Sequence, residues 1–573
     1  MANTLLDLFE KNPQLLEGRD KVTLLSRQLV MGFSGSSKAV VMASALSEQV
    51  PKILIVTSTQ NEAEQLTGDL SAILGEDKVY SFFTDDVVAA EFIFASPEKT
   101  HSRLESLNFL MDKESSGILV TSLVGTKLHL PNPEVYKDSR IDLTLGEEHD
   151  LEALSKHLTH IGYQRVGQVL LPGEFSRRGD ILDIYELTAE LPYRLEFFGD
   201  EIDGIRQFDS DSQKSLDNLE HIIVSPADDI ILTREDYQRA EKALESAVSK
   251  AEGPHKAYLE EVLSVTIDGY RHKDLRKFLS LFYDKAYTLF DYLPKGTPGF
   301  IDDFQKIVDR HGRLELEVAN LLTEDLHQGK SLSHLNYLVD SFKTLRNYQP
   351  ASFFSNFHKG LGNLKFDKLY QFTQYPMQEF FNQFPLLVDE IHRYTKNKAT
   401  VILQVGSEKQ LKSLKETLEE YDLDLPLSSF GDLIPHKPQL VLGNLSNGFY
   451  FADEKLVLVT EREIFHKKVK RRARASHVSN AERLKDYNEL EKGDYVVHQT
   501  HGIGQFKGIE TIEIKGVHRD YLTIQYQDAA TISLPVEQIE SLSKYVSADG
   551  KEPKINKLND GRFQKTKQKV SKQ

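Results

Sequence analysis

No cysteine occurs in the 573 residues, which excludes a disulfide framework, a thiolate metal site and a thiol nucleophile. The expected setting is cytoplasmic. No uninterrupted apolar run approaches the roughly 18 residues of a membrane span. The opening MANTLLDLFEKNPQ lacks a basic start and a small-residue cleavage site, and it sets Asp7 and Glu10 inside its short apolar pattern. Neither a secretion signal nor a membrane partner is expected. Positive charge is also in deficit. Lys and Arg total 70 against 87 Asp and Glu, for a net charge of −17, which excludes a nucleic-acid footprint over the whole surface. Any duplex contact must be local. The dense basic run from Lys467 to Arg474, KKVKRRAR, has six basic residues in eight, and a solvated linker accounts for it as well as phosphate contact does.

What is present is ordinary globular composition, 40% hydrophobic and 27% charged, at a length that calls for several domains. The periodicity predicts a multidomain α/β chain with a β-rich insert. QLVM, AVVMASALSEQV, KILIVT and GILVTSLVGT alternate apolar strands with amphipathic helices, so 1–125 is expected to be the first part of a parallel-sheet domain. Short strands such as RIDLTL, DILDIYEL and YRLEFFGDEI mark an inserted β domain over 126–215. Helical patterns with one strand candidate, TPGFID, complete the first domain over 216–346. NYQPASFFSNFHKGLGN reads as a loose polar stretch, opening a small α/β domain over 347–465 built around ATVILQV. A basic linker over 466–489 leads to alternating period-two segments over 490–546, expected to close as a small β-barrel. The Lys-rich pattern over 547–573, with Lys565, Lys567, Lys569 and Lys572, reads as the start of a connecting helix within a longer protein.

One motif carries candidate chemistry. A Walker A loop, G-x-x-x-x-G-K-[ST], brings backbone N–H groups and a lysine to phosphates and a hydroxyl to magnesium. Gly32-Phe33-Ser34-Gly35-Ser36-Ser37-Lys38-Ala39 follows an apolar run and opens a helix, but Ser37 stands at the second glycine and Ala39 offers no oxygen to Mg²⁺. ATP turnover is not expected. The alternative is a Ser/Gly turn with Lys38 satisfied by a neighbouring carboxylate or an anion. The acidic strand has two candidates. Phe300-Ile301-Asp302-Asp303-Phe304 carries Asp303 where a catalytic glutamate would stand, and its shorter side chain would misplace a base. Leu386 to His392 imitates an apolar DExH motif, but Pro385 and helical spacing predict an amphipathic helix there. No Q-x-x-G-R-x-x-R pattern and no second phosphate loop occur. His498 and His501 lack partners at ligand spacing, so a turn role is read and no metal is expected.

GYQRVGQVLLPGEFSRRGDILDIYE from Gly162 and PYRLEFFGDEIDGIRQFDSDSQKS from Pro192 resemble the domain shared by the excision-repair protein UvrB and the bacterial transcription-repair coupling factors. The degenerate phosphate loop, GILVTSLVG and TLFDYLPKGTPGFIDDF sit where that family has its first, split RecA-like domain. GDYVVHQTHGIGQFKGIETIEIKGVHRDYLTIQYQDAATISLPVEQIESLSKYV resembles the RNA polymerase-interacting, SH3/Tudor-like module of the coupling factors, which UvrB lacks. UvrB also carries a tyrosine-rich hairpin, whereas no tyrosine occurs from Ser81 to Arg103.

The resemblance implies an adaptor that holds stalled polymerase and recruits UvrA. On the insert, Arg165, Arg178 and Tyr185 match the UvrA-docking positions, and solvated strand-edge arginines with a core tyrosine are the alternative reading. Docking on the polymerase β subunit would proceed by strand addition along Gly508 to Ile514, with Thr511, Ile512, Glu513 and Ile514 as candidates, although burial within the barrel accounts equally well for one of the isoleucines. ATP, Mg²⁺ and most duplex contact are implied for a motor absent from this chain, which is expected to be a cofactor-free monomer. The rival readings are a UvrB-like ATPase acting on damaged DNA and a transcription regulator that uses the barrel alone.

Overall fold

The computed structural model describes residues 4–93, 97–210, 212–355, 361, 363–466, 493–498, 502–514, 517–527, 531–535 and 542–544. The basic linker from Lys467, the connecting helix over 547–573 and His501 lie outside the described residues. The architecture is mixed α/β with several sheets, in two units: 1–137 with 229–474, and 138–228 with 475–573.

In the first unit a seven-stranded sheet runs in the order Lys368–Gln371, Arg27–Met31, Ala351–Ser355, Gly299–Asp302, Lys52–Thr57, Gly117–Ser122, Val79–Phe82, and every pairing is parallel. Strands covered on both faces read as unbroken apolar runs rather than alternations, and KILIVT is buried at all six positions. The same physics explains a departure from expectation. Ala351–Ser355 lies in the stretch read as loose and polar, yet it is buried throughout between two strands, its serines small enough to pack. Lys368–Gln371 extends the same sheet, so chain up to 371 completes the first domain.

A second sheet follows, in the order Gln374–Pro376, Phe449–Phe451, Leu456–Val459, Thr400–Val405, Pro438–Leu442, Leu427–Ser428. Its last four strands are parallel and the first two antiparallel. Leu386 to His392 lies within the helix Phe384–Lys396, which buries Leu387, Val388, Ile391 and Tyr394 against this sheet. The two sheets share one core. Phe9 and Phe33 from the first domain meet Phe372, Phe449 and Phe451 at ring separations of 4.8 to 5.7 Å.

In the second unit the insert spans 138–228 rather than the expected 126–215. Residues 126–137 stay with the first domain, where buried Lys127 pairs with Glu315 and Tyr136 hydrogen-bonds Asn108. The strands Ile141–Thr144 and His221–Val224 pair antiparallel and bring the two ends of the insert side by side. Between them a six-stranded sheet runs Ser215–Leu219, Glu201–Phe208, Tyr193–Phe198, Ile181–Ile184, Glu174–Arg178, Gln164–Arg165. The helix Leu151–His160 packs with one face of it in a core that includes Leu158, Phe175, Leu195 and Ile205.

The C-terminal strands form a sheet in the order Thr531–Pro535, Val517–Gln525, Gly502–Ile514, Tyr495–His498, Leu542–Lys544. Among the described residues no ladder joins the two outer strands, so the expected closed barrel is replaced by an open antiparallel sheet. Closure would need a pairing between Thr531–Pro535 and Leu542–Lys544.

Candidate functional site

The Gly32–Ala39 loop joins the strand Arg27–Met31 to the helix Ser36–Ser44, the placement the expected motif requires. Gly32 has φ +99°, and a Cβ there would stand 2.1 Å from the Phe372 carbonyl oxygen. Only glycine satisfies both constraints. The loop is filled by the chain itself. The Oε1 of Gln374 accepts the Ser34 N–H at 2.8 Å and the Ser37 hydroxyl at 2.8 Å, while the Gln374 amide donates to Ser34 Oγ at 3.2 Å. One side-chain oxygen therefore takes donors that a phosphate oxygen would otherwise need. Ser37 is helical and fully buried, and Ala39 is packed in the core.

Next to it lies a second polar cluster. Buried Asp69 accepts from Ser36 Oγ at 2.9 Å, from the Ser446 N–H at 2.8 Å and from Ser446 Oγ at 2.8 Å, and the Asn447 N–H donates to Ser36 Oγ at 2.9 Å. Asn447 covers the loop, since a Cβ on Gly35 would meet its Cβ at 3.0 Å. Ser446 and Asn447 thus fasten the second α/β domain onto the helix Ser36–Ser44.

Lys38 is held by Asp302, Nζ to Oδ1 2.6 Å, each side chain 13% exposed. Asp303 does not join them. It sits in left-handed conformation, φ +52°, at the N-cap of the helix Phe304–His327, with its carboxylate 3.6 Å from Lys306. Lys306 is engaged by Glu62 at 2.9 Å. Burial pushes the Glu62 carboxyl up, but the Ser58 hydroxyl and Lys306 outweigh it and hold the group below the usual carboxylate range.

On the insert, Asp183 is fully buried and accepts Arg178 Nη2 at 2.7 Å, Arg194 Nε at 2.7 Å and Arg194 Nη2 at 2.9 Å. The bidentate bond to Asp183 raises the Arg194 guanidinium against the opposing effect of burial, and Arg194 lies 4.4 Å over the Phe208 ring. The Arg178 side chain remains 48% exposed. Its charge is thereby presented on a fixed support. Tyr185 alternates with Asp183 on the same strand face but is buried against Val169 and Phe208, its hydroxyl donating to the Glu190 carbonyl at 3.0 Å. Arg165 stands at the far edge of the sheet, in register with Phe175 on the opposite face. The fold brings Arg178 and Tyr185 to one face and leaves Arg165 at the rim.

In the C-terminal sheet Gly502–Ile514 is the longest strand, with a bulge between Phe506 and Gly508 where Gly508 takes φ +139°. Beyond the bulge Thr511, Ile512, Glu513 and Ile514 pair with Asp520, Arg519, His518 and Val517. Among the described residues no strand pairs with their other side. His498 lies in a strand and pairs with Gly502 and Leu542, and no group of three potential metal ligands occurs among the described residues. No helix among them is long and apolar enough to cross a membrane.

Sequence reasoning missed Gln374, Asp69, Ser446 and Asn447, which lie 33 to 411 residues from their partners and belong to no local motif. It also missed Asp183 and Arg194. Their signal is a carboxylate inside the apolar run ILDI, opposite an arginine in the next strand.

Three family models match the chain: the UvrB interaction domain over 141–229, the MFD, D3 domain over 394–464, and the CarD-like/TRCF RID domain over 490–546. Among curated proteins, the transcription-repair-coupling factor of Bacillus subtilis is 34% identical over 558 residues, 95% of this chain and 47% of that protein. Those of Staphylococcus aureus strain RF122 and Staphylococcus haemolyticus are 30% and 31% identical, over 99% and 95% of the chain and 49% and 47% of their own lengths. The chain spans about half the length of the curated relatives it matches.

Proposed function

Since the chain belongs to the transcription-repair-coupling factor family, we propose that it is the adaptor part of such a factor, holding stalled RNA polymerase through the C-terminal sheet and recruiting UvrA through the insert. The observation that carries this reading is the phosphate loop, whose donors are taken by Gln374 and whose lysine is taken by Asp302. A RecA-like domain in this condition serves as a frame. It neither binds nor hydrolyses ATP, and ATP, Mg²⁺ and most duplex contact belong to motor domains of the longer relatives.

UvrA is captured at the face of the insert that carries Arg178, with Arg165 at its rim and Tyr185 packed on that same face beside it. Planar guanidinium groups held in place suit an interface centre. The polymerase β subunit adds a strand along Thr511 to Ile514, where the ribbon has one side without a partner strand. We place the protein in the cytoplasm as a monomer. A UvrB-like ATPase has no use for the module at 490–546, and a regulator using that module alone has none for the insert.

The test is parallel pull-down of polymerase and UvrA, with calorimetric titration of Mg-ATP on the same preparation. We expect capture of both proteins and no heat of nucleotide binding. Charge reversal at Arg165 and Arg178 together should remove UvrA and spare polymerase. Micromolar Mg-ATP affinity, or undiminished UvrA capture by the folded double variant, would reject the reading.

A further inference from the structure

We infer that the second α/β domain carries a binding surface for the phosphate backbone of duplex DNA, formed by Lys398, Lys437 and Lys455 at the starts of three adjacent parallel strands. Thr400–Val405 lies between Pro438–Leu442 and Leu456–Val459, and each strand is preceded immediately or within two residues by one of these lysines. The starts are tied together. The Thr400 N–H donates to the Lys455 carbonyl at 2.9 Å, Val401 N–H to the Lys437 carbonyl at 3.2 Å, and His436 Nδ1 bonds the Lys398 carbonyl at 2.8 Å. Adjacent strands lie about 5 Å apart, so the three lysines stand within about 10 Å.

All three are exposed, as are Lys396 and His436 beside them, and none of the four lysines has an ion-pair partner among the described residues. Nearby acids are engaged elsewhere or stand apart. Glu390 pairs with Arg393, Asp424 with Lys415, Asp453 accepts the Thr373 N–H, and Glu454 is bonded by Asn12 and attracted by Lys11, which leaves exposed Asp422 and Asp432. In a chain of net charge −17, free positive charge gathered by three separate loops opposes the general field.

Backbone conformation gives a second, independent observation. Lys398, His436 and Lys455 have φ of +55°, +60° and +51°. Lys398 occupies the left-handed position after the helix Phe384–Lys396, where its N–H bonds Thr395 and the next N–H bonds Tyr394, a place glycine fills without steric penalty. Three basic side chains are kept at three positions where the backbone favours glycine or asparagine.

The chemistry selects the partner. These loops expose no large apolar side chain, and lysine is depleted at the centres of protein interfaces. No aromatic platform accompanies them for stacking unpaired bases. Duplex DNA carries about one charge per 1.7 Å of axis, so a 10 Å stretch offers about six phosphates to these ammonium groups.

The test is anisotropy of a labelled 30-base-pair duplex with the full chain between 50 and 200 mM salt, on the wild type, on Lys398→Gly with Lys437→Gln and Lys455→Gly, and on the triple lysine-to-glutamine variant. The basic run at Lys467 is intact in all three. We expect both variants to weaken binding at least about tenfold and to flatten the logarithmic salt slope by about 2 to 3. The glycine variant should melt no lower than wild type, and capture of UvrA and polymerase should be unchanged. Absent duplex binding by the wild type, an unchanged slope in the glutamine variant, a lowered melting point in the glycine variant, or better competition by single-stranded RNA or polyglutamate would each overturn the proposal.

Discussion

Lys38 and Asp302 are held from solvent almost equally, so each is the other's main source of compensation. Lys38→Met should leave a largely buried carboxylate unpaired and cost about 1–3 kcal/mol, less than the 3–5 typical of full burial, as a lowered urea midpoint. Adding Asp302→Leu should recover much of that loss. Elsewhere in the first domain, burial holds the His129 imidazole below its ordinary value against the opposing bond of Nε2 to the Asn336 carbonyl. Its Nδ1 is buried without a partner, so a second proton would have no acceptor. The unfolded chain therefore binds that proton first, and stability is lost as pH falls below about 6.5 and through the folded value. His311, lowered by burial and then by Lys127, acts in the same direction. His129→Gln should flatten this acid limb in part, measured as urea midpoints from pH 7.5 to 5. Lys38 with a carboxylate partner, and Asp302 as part of the acidic strand, were legible in the sequence. Gln374 was not, because an amide substituting for an anion leaves no trace in the loop it fills.

Elements were readable where period and burial agree. Four strands of the first sheet, Arg27–Met31, Lys52–Thr57, Gly117–Ser122 and Gly299–Asp302, and the helix over Leu386 to His392 follow from apolar spacing, and Pro385 at the start of that helix fits its missing donor. ASFFS failed as a reading because five residues with two serines resemble a loop until neighbours cover both faces. The C-terminal strands were readable singly, but closure depends on a ladder between strands that alternation does not specify. The free side of the ribbon gives a prediction at this scale. Ile512→Asp should abolish polymerase pull-down while the far-ultraviolet circular dichroism of the chain is kept, whereas Ile503→Val, within the ladder to Tyr495–His498, should leave pull-down intact. Retained capture by Ile512→Asp would move the interface to another strand.

Asp69 joins a helix of the first domain to the turn at Ser446 in the second, and the shared aromatic core lies behind it. The first unit should accordingly unfold in one transition. Asp69→Ala removes the acceptor of three hydrogen bonds and should lower stability by about 2–4 kcal/mol, splitting the melt into two steps and speeding amide exchange at 445–448. A single unshifted transition would show that the aromatic contacts suffice alone. None of this fastening was readable in the sequence, since its two halves stand 377 residues apart. That separation has a consequence in time. Arg27–Met31 takes its neighbours from Ala351–Ser355 and Lys368–Gln371, while the insert between them closes on its own ends. At about 5–20 residues per second of synthesis, the first strand waits roughly 16 to 65 s for its partner. The insert, complete by Val224, is free to fold on the ribosome well before the domain that carries it.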